Sequence, residues 1–226
     1  MAIQNFDELN IFKRRSLPYD EFFGDMELTD KQKKERKEMA LILEDILSII
    51  FEVILAEVSI GVVDKTHLKQ ETIEMIYDKI SDEDFFEDDE QLEDYIDYLL
   101  DVVVDKTVEN YEKQPDVYDY KGEKPYWVSD DRAKFIAENE ANTLFNSQEY
   151  VVAKKKGYSK KIWMAFPDDR VRESHEIANG LEIDIGDYFE VGAAQMLYPR
   201  DLTSEYSTLM FFPEEYINCR CTVKYV

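Results

Sequence analysis

Along the first 113 residues, apolar positions recur every third or fourth residue, the spacing that lays a stripe along an α-helix. Met39, Ile42, Leu43, Ile46, Ile49, Ile50, Val53 and Ile54 set the strongest stripe. Thr29 or Asp30 can cap that helix, because a side-chain oxygen there satisfies a free backbone N–H, and Gly61 can end it. The stripe is wide, so more than one neighbour is expected to cover it. A second helix is expected over 66–80, with Leu68, Ile73, Ile76, Tyr77 and Ile80 on its apolar side. A third, over 90–113, carries Leu92, Tyr95, Ile96, Leu99, Leu100, Val103 and Val104. Residues 1–30 are aromatic-rich and irregular and read as an arm or short helices.

The segment QPDVYDYKGEKPYW (114–127) breaks the repeat with two prolines and a glycine, the marks of a linker. A new helix starts at Ser129, with Asp130 and Asp131 at its positive end. It turns Ala133, Ile136, Ala137, Ala141, Leu144 and Phe145 toward a core and runs to Gly157. The period then changes to two. KKIWMAF (160–166) reads as a strand, NGLEIDI (179–185) as a turn into a strand, and INCRCTVKY (217–225) as another. The expected fold class is α+β: a helical assembly or docking region over 1–113, a linker over 114–127, and a small domain over 128–226 with a short, mainly antiparallel sheet.

Charge adds a second pattern. The net charge of −24 repels nucleic acid and anionic membranes in bulk. It is also lopsided: 15 basic and 34 acidic residues lie in 1–126, against 12 and 17 in 127–226. Segment 82–101 holds eleven acids and no base, which makes either a solvated helix face or a docking surface for a basic partner. The apolar run 46–63 has the length to raise a membrane question, but Glu52 and Glu57 inside it would be costly in lipid. The opening MAIQNFDELN lacks a basic stretch followed by an apolar one, so no secretory signal is expected. With only two cysteines, a reducing compartment is the expectation.

Both cysteines sit in INCRC (217–221). On an extended strand, Ile217, Cys219, Cys221, Val223 and Tyr225 point one way, and Asn218, Arg220, Thr222 and Lys224 the other. Residues two apart on one strand face have Cα atoms about 6.5 Å apart with diverging Cβ vectors, so a disulfide is disfavoured. Two thiolates on one face can still grip zinc if His175 and an acid complete a tetrahedron. Plain packing of two reduced thiols is the favoured reading, with His175, Cys219 and Cys221 as the candidates if a metal is bound.

The second cluster is PDDRVRESHEIANG (167–180). Asp168 or Asp169 can cap a short helix, Arg170, Arg172 and His175 follow, and Asn179-Gly180 makes the turn back into a strand. His175 serves either as a general base or as an orienting hydrogen-bonder, the latter favoured. Arg172 and Arg220 are expected to bridge backbone carbonyls or carboxylates. His67 is expected to play no part in chemistry. No catalytic residue and no cofactor is assigned.

Taken together, KKIWMAFPDDRVRESHEIANGLEID, Phe189, Tyr198-Pro199 and EEYINCRC resemble the phage Mu F-like minor head protein family over about 130–226. The residues carrying the likeness are Trp163, Asp168, Arg170, Arg172, His175, Gly180, Phe189, Pro199, Asn218, Cys219, Arg220 and Cys221. The chain departs from that pattern at AENEA (137–141), where the family often has Arg-Thr-Glu, and at Asn179-Gly180, where Asp-Gly is usual. The upstream YDEFFGDMELTDKQKKER is similar to minor head proteins of phages of Gram-positive bacteria.

The resemblance implies a virion protein of the capsid interior, made in the host cytoplasm, acting in head morphogenesis and in genome packaging or ejection. It implies contact with the portal protein and with scaffold or major capsid protein. Packaged DNA would be reached only through Lys154, Lys155, Lys156, Lys160 and Lys161, and no membrane is involved. The length leaves no room for an added enzyme domain. Two other readings stand beside it. One is an enzyme, a metal-dependent or hydrolytic one centred on His175 with Asp168 and a Cys219 or Cys221 thiolate, or one built on a transferase-like order of Arg132, YST (206–208) and Glu214 or Glu215. The other is an acidic protein-binding module resting on 82–101.

Overall fold

The computed structural model describes residues 18–24, 26–80, 85–119, 121–166, 171–201 and 213–226. The expected arm lies outside these residues except for 18–24 and 26–30, where a one-turn helix, α1 (Tyr19–Phe22), buries Tyr19 and Phe22. The helices that follow are α2 (Asp30–Ser59), α3 (Lys65–Ile80), α4 (Asp89–Leu100), α5 (Lys106–Lys113) and α6 (Asp130–Lys156). Then come β1 (Lys160–Met164), α7 (Glu173–Ala178), β2 (Glu182–Asp184), β3 (Phe189–Val191), β4 (Ala194–Met196), α8 (Pro213–Tyr216) and β5 (Thr222–Tyr225). The α+β class holds. No described helix is long and apolar enough to cross a membrane.

The caps follow the local sequence. Thr29 and Gln32 exchange bonds, Gln32 N–H to Thr29 Oγ1 at 3.3 Å and Thr29 N–H to Gln32 Oε1 at 2.9 Å, a capping box that starts α2. Asp64 accepts the Thr66 and His67 N–H groups at 3.1 Å and starts α3.

The chain falls into two compact units: Met39–Asp82 with Ile96–Ala137, and Pro18–Glu38 with Glu83–Tyr95 and Glu138–Val226. The segment read as a linker, 114–127, thus falls inside the first, with Tyr126 and Trp127 buried. In that unit the buried face of α2 is Met39, Ala40, Leu43, Ile46, Leu47, Ile50, Phe51 and Ile54. Ile42 and Ile49, expected in the stripe, are exposed, as is Tyr77 of α3. The covered stripe is therefore as wide as expected but turned toward Leu47 and Phe51.

The expected third helix is interrupted by a π-helical turn at Asp101–Asp105. Widening the ladder there frees the Val102 carbonyl, which accepts Arg132 Nη2 at 3.0 Å. Arg132 Nη1 reaches Thr107 Oγ1 at 2.6 Å and the Trp127 carbonyl at 3.1 Å, and the guanidinium lies over the Phe51 ring. Arg132 is thus a buried cation bound to three polar groups and two rings of its own unit.

In the second unit, β1 is central in an antiparallel sheet of order β2-β1-β5, with Ile162 opposite both Glu182 and Lys224. The last strand does pair with the IWMAF strand. It is shorter than expected, however, because Asn218 takes the left-handed conformation (φ 58) and the chain becomes extended sheet only at Thr222. A second hairpin, β3-β4, was not anticipated. Its turn places Gly192 at φ 61, a conformation few L side chains adopt.

Lys161 is fully buried, with Nζ donating to the Leu197 carbonyl at 2.7 Å and lying over the Tyr150 and Phe189 rings. Burial pushes its pKa down to about 8, against the pull of Asp201 and Asp187. The cost of burying the ammonium is present in full below pH 8. Between about 8 and 10.5 the native lysine sheds its proton while the unfolded one keeps it, so stability rises with pH in that window. Relative to Lys161→Met, which cannot titrate, the unaltered chain should gain about 3 kcal/mol across the window, read by urea unfolding at each pH. A difference between the two that does not change with pH would contradict it.

Candidate functional site

The polar interior of the second unit is built on α6, which buries Asn139, Glu140, Asn142, Thr143, Asn146 and Ser147 along with its apolar residues. Arg36 of α2 is wholly buried against this row. Its Nε donates to Asn142 Oδ1 at 3.2 Å, Nη2 to Asn146 Oδ1 at 3.2 Å, and Nη1 to Glu149 at 2.7 Å. With their oxygens held by Arg36, both amides aim nitrogen at the C-terminal loop. Asn142 Nδ2 meets the carbonyls of Cys219 and Cys221, each at 3.3 Å. Asn146 Nδ2 meets those of Cys221 and Pro199, each at 3.2 Å.

A second arginine holds the Tyr198–Asp201 loop. Arg200, at φ 62, donates to Thr143 Oγ1 (2.6 Å), Asn139 Oδ1 (3.3 Å), the Tyr216 carbonyl (2.7 Å) and Glu140 (2.7 Å). Arg200 and Glu140 have side chains only 3% exposed. Asn218 Oδ1 accepts from Asn139 at 3.4 Å, and Arg220 stacks over Phe166 at 3.7 Å.

Above the loop, α7 presents Ser174 and His175. His175 Nδ1 faces two sulfurs, Cys221 Sγ at 3.3 Å and Cys219 Sγ at 3.5 Å. Its Nε2 meets Glu215 Oε2 at 3.1 Å, an oxygen that also accepts Ser174 Oγ–H at 2.7 Å. Glu215 fits because residue 192 is glycine: a Cβ there would lie 2.1 Å from Glu215 Oε1. Trp163 of β1 packs edge-on to the imidazole, ring centroids 5.7 Å apart, and edge-on to Phe189 as well. Arg172 Nη2 donates to the Ile217 carbonyl, the bridging role expected of it.

The three residues His175, Cys219 and Cys221 are buried, both thiols are free, and their donor atoms lie within 4.8 Å of one another. Burial opposes charge on His175, but Cys219 and Glu215 outweigh it and push its pKa up to about 9. Burial likewise opposes a Cys219 thiolate, yet Cys221, His175 and Arg172 hold its pKa well below the usual thiol value. Cys221 is pushed up by Cys219 and by burial. Glu215, raised by burial, is held low by its bonds from His175 and Ser174. Without a metal these directions favour charge on Cys219, His175 and Glu215 and a proton on Cys221. In composition the cluster offers either a soft-metal site or a nucleophile-base-acid row.

Of the residues singled out in the sequence, Asp168 and Arg170 lie outside the described residues, as does the 206–208 segment. Trp163, Arg172, His175, Phe189, Cys219 and Cys221 converge on this cluster. Gly180, at φ 77, forms the expected turn, with its N–H on the Trp163 carbonyl at 2.8 Å. Pro199 contributes only its carbonyl. His67 is exposed beside Glu71. Of the lysines offered for DNA, Lys161 is buried, while Lys154 pairs with Glu87 and Lys160 with Glu182. Arg36, Asn142, Asn146, Arg200 and Ser174 were not identified from sequence. A polar repeat at 139, 142–143 and 146–147, interleaved with Ala141, Leu144 and Phe145, was the available signal.

Of the residues that carry the family likeness, Trp163, His175, Cys219 and Cys221 lie in one buried cluster, with Arg36 and Arg200 buried beside its supporting helix. Residues 104–224 match the family described as Phage Mu protein F like protein, and the chain belongs to that family of phage head morphogenesis proteins. No curated protein and no solved structure matches the chain.

Proposed function

We propose that this protein is a minor head protein of the capsid interior that joins the assembling head through the portal protein and acts in genome packaging or ejection. The observation that carries the reading is the family match over 104–224, which spans the whole cluster and its supporting helix. The burial of the cluster supports it over the hydrolytic alternative. Cys219 is 1% and Cys221 2% exposed, whereas an attacking sulfur must approach substrate carbon to about 3–3.5 Å. The exposed Glu93, Asp94 and Asp97 of α4 suit contact with a basic protein surface better than contact with DNA. With Lys161 buried and Lys154 and Lys160 paired, direct DNA binding through 154–161 loses much of its support.

The test is portal dependence. Heads assembled from capsid, scaffold and portal proteins should retain this chain through gradient sedimentation, and heads assembled without portal should not. Equal retention in both would overturn the portal contact. Failure to sediment with either would overturn the head role.

A further inference from the structure

We propose that His175 Nδ1, Cys219 Sγ and Cys221 Sγ bind one zinc ion, with Glu215 orienting the imidazole from the far side. The sequence alone favours plain packing of the thiols. The geometry adds four observations that packing does not require.

First, one nitrogen faces both sulfurs, at 3.3 and 3.5 Å. Zinc with sulfur at about 2.3 Å and nitrogen at about 2.0–2.1 Å in a tetrahedron sets an N···S edge of about 3.6 Å. The cluster is already within a few tenths of an ångström of that edge. Second, the other ring nitrogen is committed. Its contact with Glu215 at 3.1 Å, a carboxylate itself held by Ser174, keeps a proton on Nε2, so Nδ1, the nitrogen facing the sulfurs, is the one that can give up its proton to an ion. This is the arrangement by which proteins set the tautomer of a metal-binding histidine.

Third, the two cysteines are held from behind. Asn142 and Asn146 grip the carbonyls of Cys219 and Cys221, which fixes the Cys-x-Cys turn before any ion arrives. Fourth, Trp163 is fully buried, no oxygen or nitrogen among the described residues accepts its indole N–H, and its side chain acts on Cys221 as a hydrogen-bond donor. That N–H belongs to the ring that packs on His175, and N–H groups beside a metal-bound thiolate supply the outer contacts such sulfurs accept.

The charges balance on binding. Two thiolates neutralise the dication, the imidazole is neutral, and the protons displaced from Cys221 and from His175 Nδ1 leave to solvent. The ion would clip α7 to the chain end across 44 and 46 residues of sequence. The described residues supply three donors.

The experiment uses the full chain purified under reducing conditions without chelator. Elemental analysis should find about one zinc per chain, and exchange into cobalt(II) should give a thiolate-to-cobalt charge-transfer band with the intense visible bands of a tetrahedral site. The Cys219→Ser, Cys221→Ser double variant should lose both signals. Glu215→Gln should keep the ion but bind it roughly 10–100-fold more weakly, in competition with a chromophoric chelator. Because the double variant can fail to fold, the cobalt spectrum of the unaltered chain stands as the independent reading. A chain that takes up neither zinc nor cobalt with thiolate character, or a folded double variant that retains its zinc, would overturn the site.

Discussion

Arg200→Met should destabilise the protein by about 3–5 kcal/mol, the range for removing one partner of a buried ion pair. The reason is the carboxylate left behind. Glu140 has a side chain only 3% exposed, and its 2.7 Å bond to Arg200 supplies its counter-charge. The same substitution removes donors from Thr143, Asn139 and the Tyr216 carbonyl, so the loop before the cysteines loses its anchor to α6. The measurement is the urea midpoint at constant slope. Replacing Glu140 by leucine in the same chain should recover a large part of the loss, since the uncompensated charge then disappears. A loss below about 1 kcal/mol in the single variant, or no recovery in the double, would contradict this account of the pair.

Arg36→Met should cost about 3 kcal/mol, less than Arg200 because Glu149 is 16% exposed and can recruit water. Its more telling effect is at a distance from the substitution. Arg36 holds the oxygens of Asn142 and Asn146, and those amides in turn hold the carbonyls of Cys219 and Cys221. Freed of Arg36, the amides can turn, and amide hydrogen exchange over 216–222 should accelerate more than over β1. Unchanged protection of that loop in a folded Arg36→Met protein would break the proposed chain of bonds. A fragment beginning at residue 127 lacks Arg36 altogether and should show the same loosening.

Much of the fold was legible because its causes are local. The capping Thr29 with Gln32, the Asn179-Gly180 turn and the alternation of β1 are written in neighbouring residues. The interruption of the third helix was not, because its cause is Arg132, some thirty positions away, taking the Val102 carbonyl. The same holds for α6. The arginines that bind its Asn and Thr residues, Arg36 and Arg200, come from distant segments. INCRC looked like strand because alternation was perfect. Asn218 at φ 58 ends that alternation, and the cysteines reach one nitrogen from a turn in place of a pleat. The hairpin at Phe189–Met196 was hidden by its three-residue strands, too short for periodicity to register. Glu215 was named only within the transferase-like order, since only the fold reveals that Gly192 leaves it room beside His175.

The most direct test of a head protein of the capsid interior is protease protection in purified, DNA-filled heads. Quantitative mass spectrometry of heads treated externally with protease should find this chain intact and at low copy relative to the major capsid protein. The same chain should be digested once the heads are disrupted. Its absence from the heads, or its digestion while they remain closed, would contradict the account.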